Sequence, residues 1–209
     1  MKHVYIATSN HGKLRDFAAA AQGQLEIFSV PNFSSLPTVE EDGATFEENA
    51  RKKAGVYSGT LSGEIVLADD SGLEVDALGG APGIHSARYA TPDKSENASD
   101  AANNARLLRE LANVPEEKRT ARFVCVIAAA RDGETLATFR GEASGVILRE
   151  ARGTGGFGYD PLFYFPQLEK TFGELCRPEK AAVSHRGFAF RQFLAWMREH
   201  HSSNTNTTR

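Results

Sequence analysis

The residues most able to do chemistry fall into a few short groups. Asp69 and Asp70 close an apolar run in "LADDSG". Two adjacent carboxylates there are costly unless a cation sits with them. Successive residues of a strand point to opposite faces, so one of the pair faces a site in preference to both. Magnesium suits such a group, because it takes oxygen ligands and keeps several waters. "VEED" supplies further oxygen donors in Glu40 and Glu41. The plainer reading is an aspartate capping a turn to Ser71-Gly72.

"TSNHGK", from Thr8 to Lys13, lies between a strand and a helix. A Walker A loop needs an earlier glycine and a trailing hydroxyl, and both are missing. The physics of a phosphate cradle survives without them. Backbone N–H groups at a helix N-terminus favour anions, Gly12 allows close approach, and Lys13 adds a point charge. Thr8, Ser9 and Asn10 offer short polar side chains. A helix cap with a surface lysine is the alternative. In "GTGGFGYDP" four glycines surround Phe157 and Tyr159, a loop able to wrap a ligand while Phe157 stacks on a base. "EKAAVSHRG" brings Lys180, His185 and Arg186 together, and "NARKKA" puts Lys52 and Lys53 on one helix in different directions. At most one of those lysines reaches a site shared with Lys13.

Periodicity sets the elements that must hold these groups. Residues 4–7 and 25–30 read as strands, and 14–21 as a helix. Residues 44–59 form a second helix, with Thr45 and Glu48 at capping-box spacing. "EIVLADDSG" reads as a strand that stops at the carboxylates, where sheet-end loops hold ligands. A long Gly/Pro-rich stretch follows. The next helix has Leu107, Leu108 and Leu111 as its core face. Residues 121–148 give two or three strands with a hairpin turn at Arg131-Asp132-Gly133, then a short strand "LFYF" and a closing helix after Ser184. Interleaved strands and helices broken by a hairpin imply an α/β fold with a mixed sheet. One domain over 1–200 is expected, with a disordered polar tail over 201–209.

With 209 residues and 41% hydrophobic content the chain can bury a core. A formal charge of −3 argues against non-specific nucleic-acid binding. No stretch approaches the ~20 apolar residues of a membrane helix, and no signal peptide precedes the first strand. Two cysteines without C-x-x-C spacing suggest no zinc site and fit a reducing cytoplasm.

Five segments in this order, "TSNHGK", "EEDGATFEENARKKA", "LADDSGLEVDALGGAPGIHSARYA", "GTGGFGYDP" and "EKAAVSHRG", resemble the inosine triphosphate pyrophosphatase family over nearly the whole chain. The resemblance implies a two-lobed α/β fold with a long mixed central sheet flanked by helices, and a homodimer. It implies Mg2+-dependent hydrolysis of inosine, deoxyinosine and xanthosine triphosphates to monophosphate and pyrophosphate in the cytoplasm. By position, Thr8, Ser9, Asn10, His11, Gly12 and Lys13 would bind the triphosphate. Asp70 would accept the proton and ligate metal with Glu41. Ser71, Phe157, Gly158, Tyr159, Asp160, Lys180, His185 and Arg186 would touch substrate, and Lys53 would help hold phosphate. The rival readings are a pyrophosphatase for pyrimidine or modified nucleotides, and a nucleotide-binding module without turnover.

Overall fold

The computed structural model describes residues 3–93 and 96–201. Most of the expected polar tail, from 202 onward, lies outside the described residues. The elements run β1 (His3–Ile6), α1 (His11–Ala21), β2 (Glu26–Ser29), α2 (Phe46–Ser58), β3 (Val66–Val75), α3 (Asp100–Glu110), β4 (Thr120–Arg131), β5 (Glu134–Ile147), β6 (Phe163–Phe165), β7 (Lys170–Thr171), α4 (Arg177–Val183) and α5 (His185–His201), with short 3-10 turns between them.

The strands form one seven-stranded sheet in the order β2-β1-β3-β4-β5-β6-β7. β1 pairs parallel with β2 and β3, whereas β5–β6 and β6–β7 are antiparallel. The sheet is therefore mixed, as expected for an α/β chain interrupted by a hairpin. That hairpin joins β4 to β5 through Asp132 (φ 50°) and Gly133 (φ 87°). Both residues are left-handed, which matches the twist of the flanking strands. β4 carries "FVCVIAAA", buried throughout, as a strand covered on both faces must be.

The chain divides into two compact units. The first is built from the described parts of Met1–Asp70, Val126–Gly141 and Arg186–Arg209, and the second from Ser71–Cys125 and Glu142–His185. In the first, Val4, Ile6, Ala50, Ala54, Phe17, Phe190 and Phe193 are buried, with Phe190 5.5 Å from both other rings. In the second, Leu73, Leu107, Leu111, Ile147, Phe163 and Phe172 belong to one buried cluster with Phe123. The guanidinium of Arg119 is buried there on three carbonyls, of Leu111, Ile147 and Leu148, and ties the end of α3 to the sheet.

One expectation about β3 is overturned. The strand does not stop at the carboxylates but continues through Ser71 and Gly72 to Val75. Ser-Gly reads as turn chemistry, yet Gly72 serves close packing. A Cβ there would stand 2.4 Å from the Gly83 carbonyl and from the Ser86 hydroxyl. What stops is the neighbour. β1 pairs with β3 only as far as Leu67, so Asp69 and Asp70 lie just past the C-terminal end of that parallel pair. This is where open α/β sheets place ligands.

Candidate active site

α1 begins three residues earlier than periodicity suggested, at His11. Asn10 is its N-cap, and the Asn10 Oδ1 accepts from the backbone N–H of Gly12 at 2.8 Å and of Lys13 at 3.1 Å. Gly12 and Lys13 therefore belong to the first helical turn, not to a loop. Two of the amides expected to cradle phosphate are taken by this cap. Thr8 Oγ1 accepts from Asn10 N–H, and Ser9 and His11 are exposed.

The cap aims Lys13 along the helix start at β3, where its Nζ lies 3.0 Å from Asp69 Oδ2. Arg186, from the first turn of α5, reaches the same oxygen at 3.3 Å and Asp16 of α1 at 3.0 Å. Asp69 and Arg186 are each 2% exposed. Burial pushes the Asp69 carboxyl up, but Lys13, Arg186 and Lys53 together outweigh it and hold the group well below the usual carboxylate range.

Asp70 has a different environment, as alternation along the strand requires. Asn49 of α2 donates to Asp70 Oδ2 at 2.9 Å, and Lys53 Nζ lies 3.7 Å from Oδ1. Lys53 also donates to Glu41 at 2.5 Å and to the Asp69 carbonyl at 2.8 Å. Burial raises the Asp70 pKa; Lys53 opposes this and Glu41 reinforces it, with the net effect upward. Lys52 points away to Asp42 at 2.6 Å, on an exposed surface. Glu40 is exposed as well.

The donor set suits a hard cation only in part. Glu41 and Asp70 share the Lys53 ammonium, so these two carboxylates already flank one positive charge. Among the described residues no group of three or more His, Cys, Asp or Glu is arranged to hold an ion. Two carboxylates fit magnesium, which takes most of its remaining ligands from water and phosphate.

Phe157 and Asp160 of the glycine loop meet Lys180 of α4 in the second unit. Lys180 Nζ lies 2.5 Å from Asp160 Oδ2 and 4.9 Å from the centre of the Phe157 ring. Asp160 also accepts from the Phe157 N–H at 2.8 Å, and the Tyr159 hydroxyl donates to the Ser86 carbonyl. His185 is buried and stacks on Phe123 at 4.7 Å. Ser71 is half-buried. Gly156 (φ 74°) has no room for a side chain, since a Cβ would stand 2.0 Å from Asp160 Oδ2. Gly156→Ala is expected to cost about 1–3 kcal/mol in thermal denaturation, because Asp160 must abandon its bonds.

Two residues of this geometry escaped the sequence reading. Asn49, in the first turn of α2, is fully buried, and its Oδ1 also accepts from Gly43 N–H at 2.8 Å. It thus links the Glu41 segment to Asp70. Its spacing of four from Lys53 was the available signal. Asp16 follows Lys13 by three on the same helix, and only the fold shows that it meets Arg186.

Comparisons with known proteins identify relatives along nearly the whole chain. A family model described as the Ham1 family matches residues 4–196. A dITP/XTP pyrophosphatase of Geobacter sulfurreducens is 53% identical over 96% of each chain. One from Desulforamulus reducens is 50% identical over 90% of this chain and 92% of its own. The solved structure of the Staphylococcus aureus Ham1 protein superimposes with a TM-score of 0.79 at 42% identity, covering 95% of this chain and all of that one. Among the described residues no helix is long and apolar enough to cross a membrane.

Proposed function

This chain belongs to the Ham1 family, and from that premise we propose that it hydrolyses inosine, deoxyinosine and xanthosine triphosphates to the monophosphate and pyrophosphate, clearing these nucleotides from the cytoplasmic pool. The observation that carries the reading is the convergence of Lys13 and Lys53 on the adjacent Asp69 and Asp70 of β3. A binder of polyanions gains nothing from buried carboxylates unless they do chemistry or recruit a cation.

In this reading Lys13, Lys53 and the start of α1 take the triphosphate. Lys13 leaves Asp69 for phosphate oxygens, and Arg186 keeps Asp69 balanced while it does so. Asp70 accepts the proton of the attacking water. Its raised pKa makes it a better acceptor than an ordinary aspartate. Asn49 fixes which oxygen is offered. Glu41 and Asp70 would hold Mg2+, which when bound neutralises charge on the phosphates and the leaving pyrophosphate. Phe157 stacks on the base and Lys180, steadied by Asp160, approaches its edge. Arg186 retains Asp16 as an anchor while offering another of its five N–H donors to the 6-oxo group. Adenine, with an amino donor there, would be mispaired. We further propose that the active species is a homodimer.

Separate assays of pyrophosphate and orthophosphate over a panel of nucleoside triphosphates test the reading. Pyrophosphate from inosine and xanthosine triphosphates supports it. Orthophosphate alone would identify a γ-phosphatase, pyrimidine turnover a different substrate class, and silence a binder. Asn49→Ala is expected to lower kcat about tenfold or more with a smaller change in KM, since Asp70 loses the Asn49 amide donor and the Glu41 segment loses the bond to Gly43 N–H. Steady-state kinetics with inosine triphosphate would reveal the split.

A further inference from the structure

We propose that Asp100 and Asn104, one turn apart at the start of α3, are positioning residues that hold the glycine-rich loop in the shape that receives the purine base. The inference rests on the reading of that loop as the base-binding element.

Gly158 stands between Phe157 and Tyr159, and both of its backbone polar groups are taken by α3. Its N–H donates to Asp100 Oδ2 at 2.7 Å, and its carbonyl accepts from Asn104 Nδ2 at 3.0 Å. Gly158 is left-handed (φ 63°), and a Cβ added there would meet nothing within 4 Å. The glycine is therefore needed for backbone shape and not for space. That shape turns Phe157 beneath the Lys180 ammonium. Elsewhere the loop is held by Asp160, which accepts from the Phe157 N–H, by the Tyr159 hydroxyl on the Ser86 carbonyl, and by backbone bonds that join Gly155 and Asp160 to Gly173. The α3 pair thus supplies a side-chain partner to the peptide group on each side of Gly158.

Two details favour a positioning role over ordinary packing. Asn104 Oδ1 is buried and accepts no hydrogen bond among the described residues. A buried acceptor left bare is unfavourable, so the carboxamide is retained for its donor end. The helix that presents the pair is itself fixed. Asn103, next to Asn104, is buried, donates to the Ala87 carbonyl at 3.1 Å and accepts from Ala90 N–H at 2.7 Å. Ser99 caps the same helix through Ala102 N–H. Asp100 sits in the first turn, where a carboxylate is favoured and its bond to an amide is charge-assisted.

The test compares wild type with Asn104→Leu, Asp100→Ala and Asp100→Asn. Leucine is near in size and removes the bare acceptor, so a merely structural Asn104 predicts an unchanged or raised melting temperature and unchanged kinetics. A positioning Asn104 predicts a KM for inosine triphosphate raised about five- to tenfold, with kcat within about twofold, the effect of one lost hydrogen bond to a binding loop. Asp100→Ala should behave alike, while Asp100→Asn keeps an acceptor and should stay near wild type. Inhibition by inorganic tripolyphosphate, which has no base, should be the same in all four proteins. Unchanged KM in folded Asn104→Leu and Asp100→Ala overturns the inference, as does a parallel weakening toward tripolyphosphate. A wild-type protein that turns over neither inosine nor xanthosine triphosphate overturns the functional reading, and the inference with it.

Discussion

Asp70→Asn is expected to lower kcat by about 10²–10⁴ while nucleotide still binds, the usual loss when a positioned base is removed. The structure makes this a clean substitution. Asparagine has the same shape and can still present an oxygen to Asn49 Nδ2. Lys53 keeps Glu41 and the Asp69 carbonyl as partners, so no cation is stranded. Removing one of two carboxylates that repel each other, Asp70 and Glu41, should leave the melting temperature unchanged or slightly higher. Calorimetric titration with inosine triphosphate, beside a single-turnover assay, separates binding from chemistry. Wild-type turnover in this variant would remove Asp70 from the role.

The second large effect is on stability. Asp69→Ala takes a carboxylate from both Lys13 and Arg186, Arg186 being buried and Lys13 half-buried. Breaking a buried pair from one side typically costs about 3–5 kcal/mol, or about 6–20 °C in melting temperature for a chain of this size. The sign of the pH dependence follows from the same contacts. Asp69 titrates lower in the folded protein than the ~3.9 of an unfolded aspartate. Its contribution is therefore fully present above that value and is lost as the pH falls through the folded one. Wild type should lose stability on acidification below about pH 4, and Asp69→Ala should lose less over the same range. Equal acid limbs in the two proteins would show that Asp69 carries no such pairing energy.

Much of this protein was legible in its residues. Apolar alternation and runs gave most strands, Thr45 marked the start of α2 as the bond to Glu48 N–H bears out, and Asp132-Gly133 gave the hairpin. Leu107 and Leu111 are core, as their spacing implied. The opposition of Asp69 and Asp70 follows from strand geometry alone. The misjudged points share one cause. Ser71-Gly72 and the residues around Gly12 carry turn-like types, but their roles are set by what packs against them. Gly83 and Ser86 lie against Gly72, and the Asn10 cap draws Gly12 and Lys13 into α1. β7, of two residues, and α4, of seven, are too short for periodicity to register.

The sequence by itself determined the inventory: a mixed α/β sheet, a lysine at a helix start, paired carboxylates on a strand and a glycine loop with its aromatic. Local rules suffice for these, since each depends on neighbours within one or two turns. Only the tertiary structure decided partners. Which carboxylate takes Lys13, which takes Asn49, that Asp16 and Asp69 share Arg186 across 170 and 117 residues of chain, and that α3 grips Gly158 all depend on distant segments meeting. Such contacts arise from burial and sheet pairing, which no local pattern encodes.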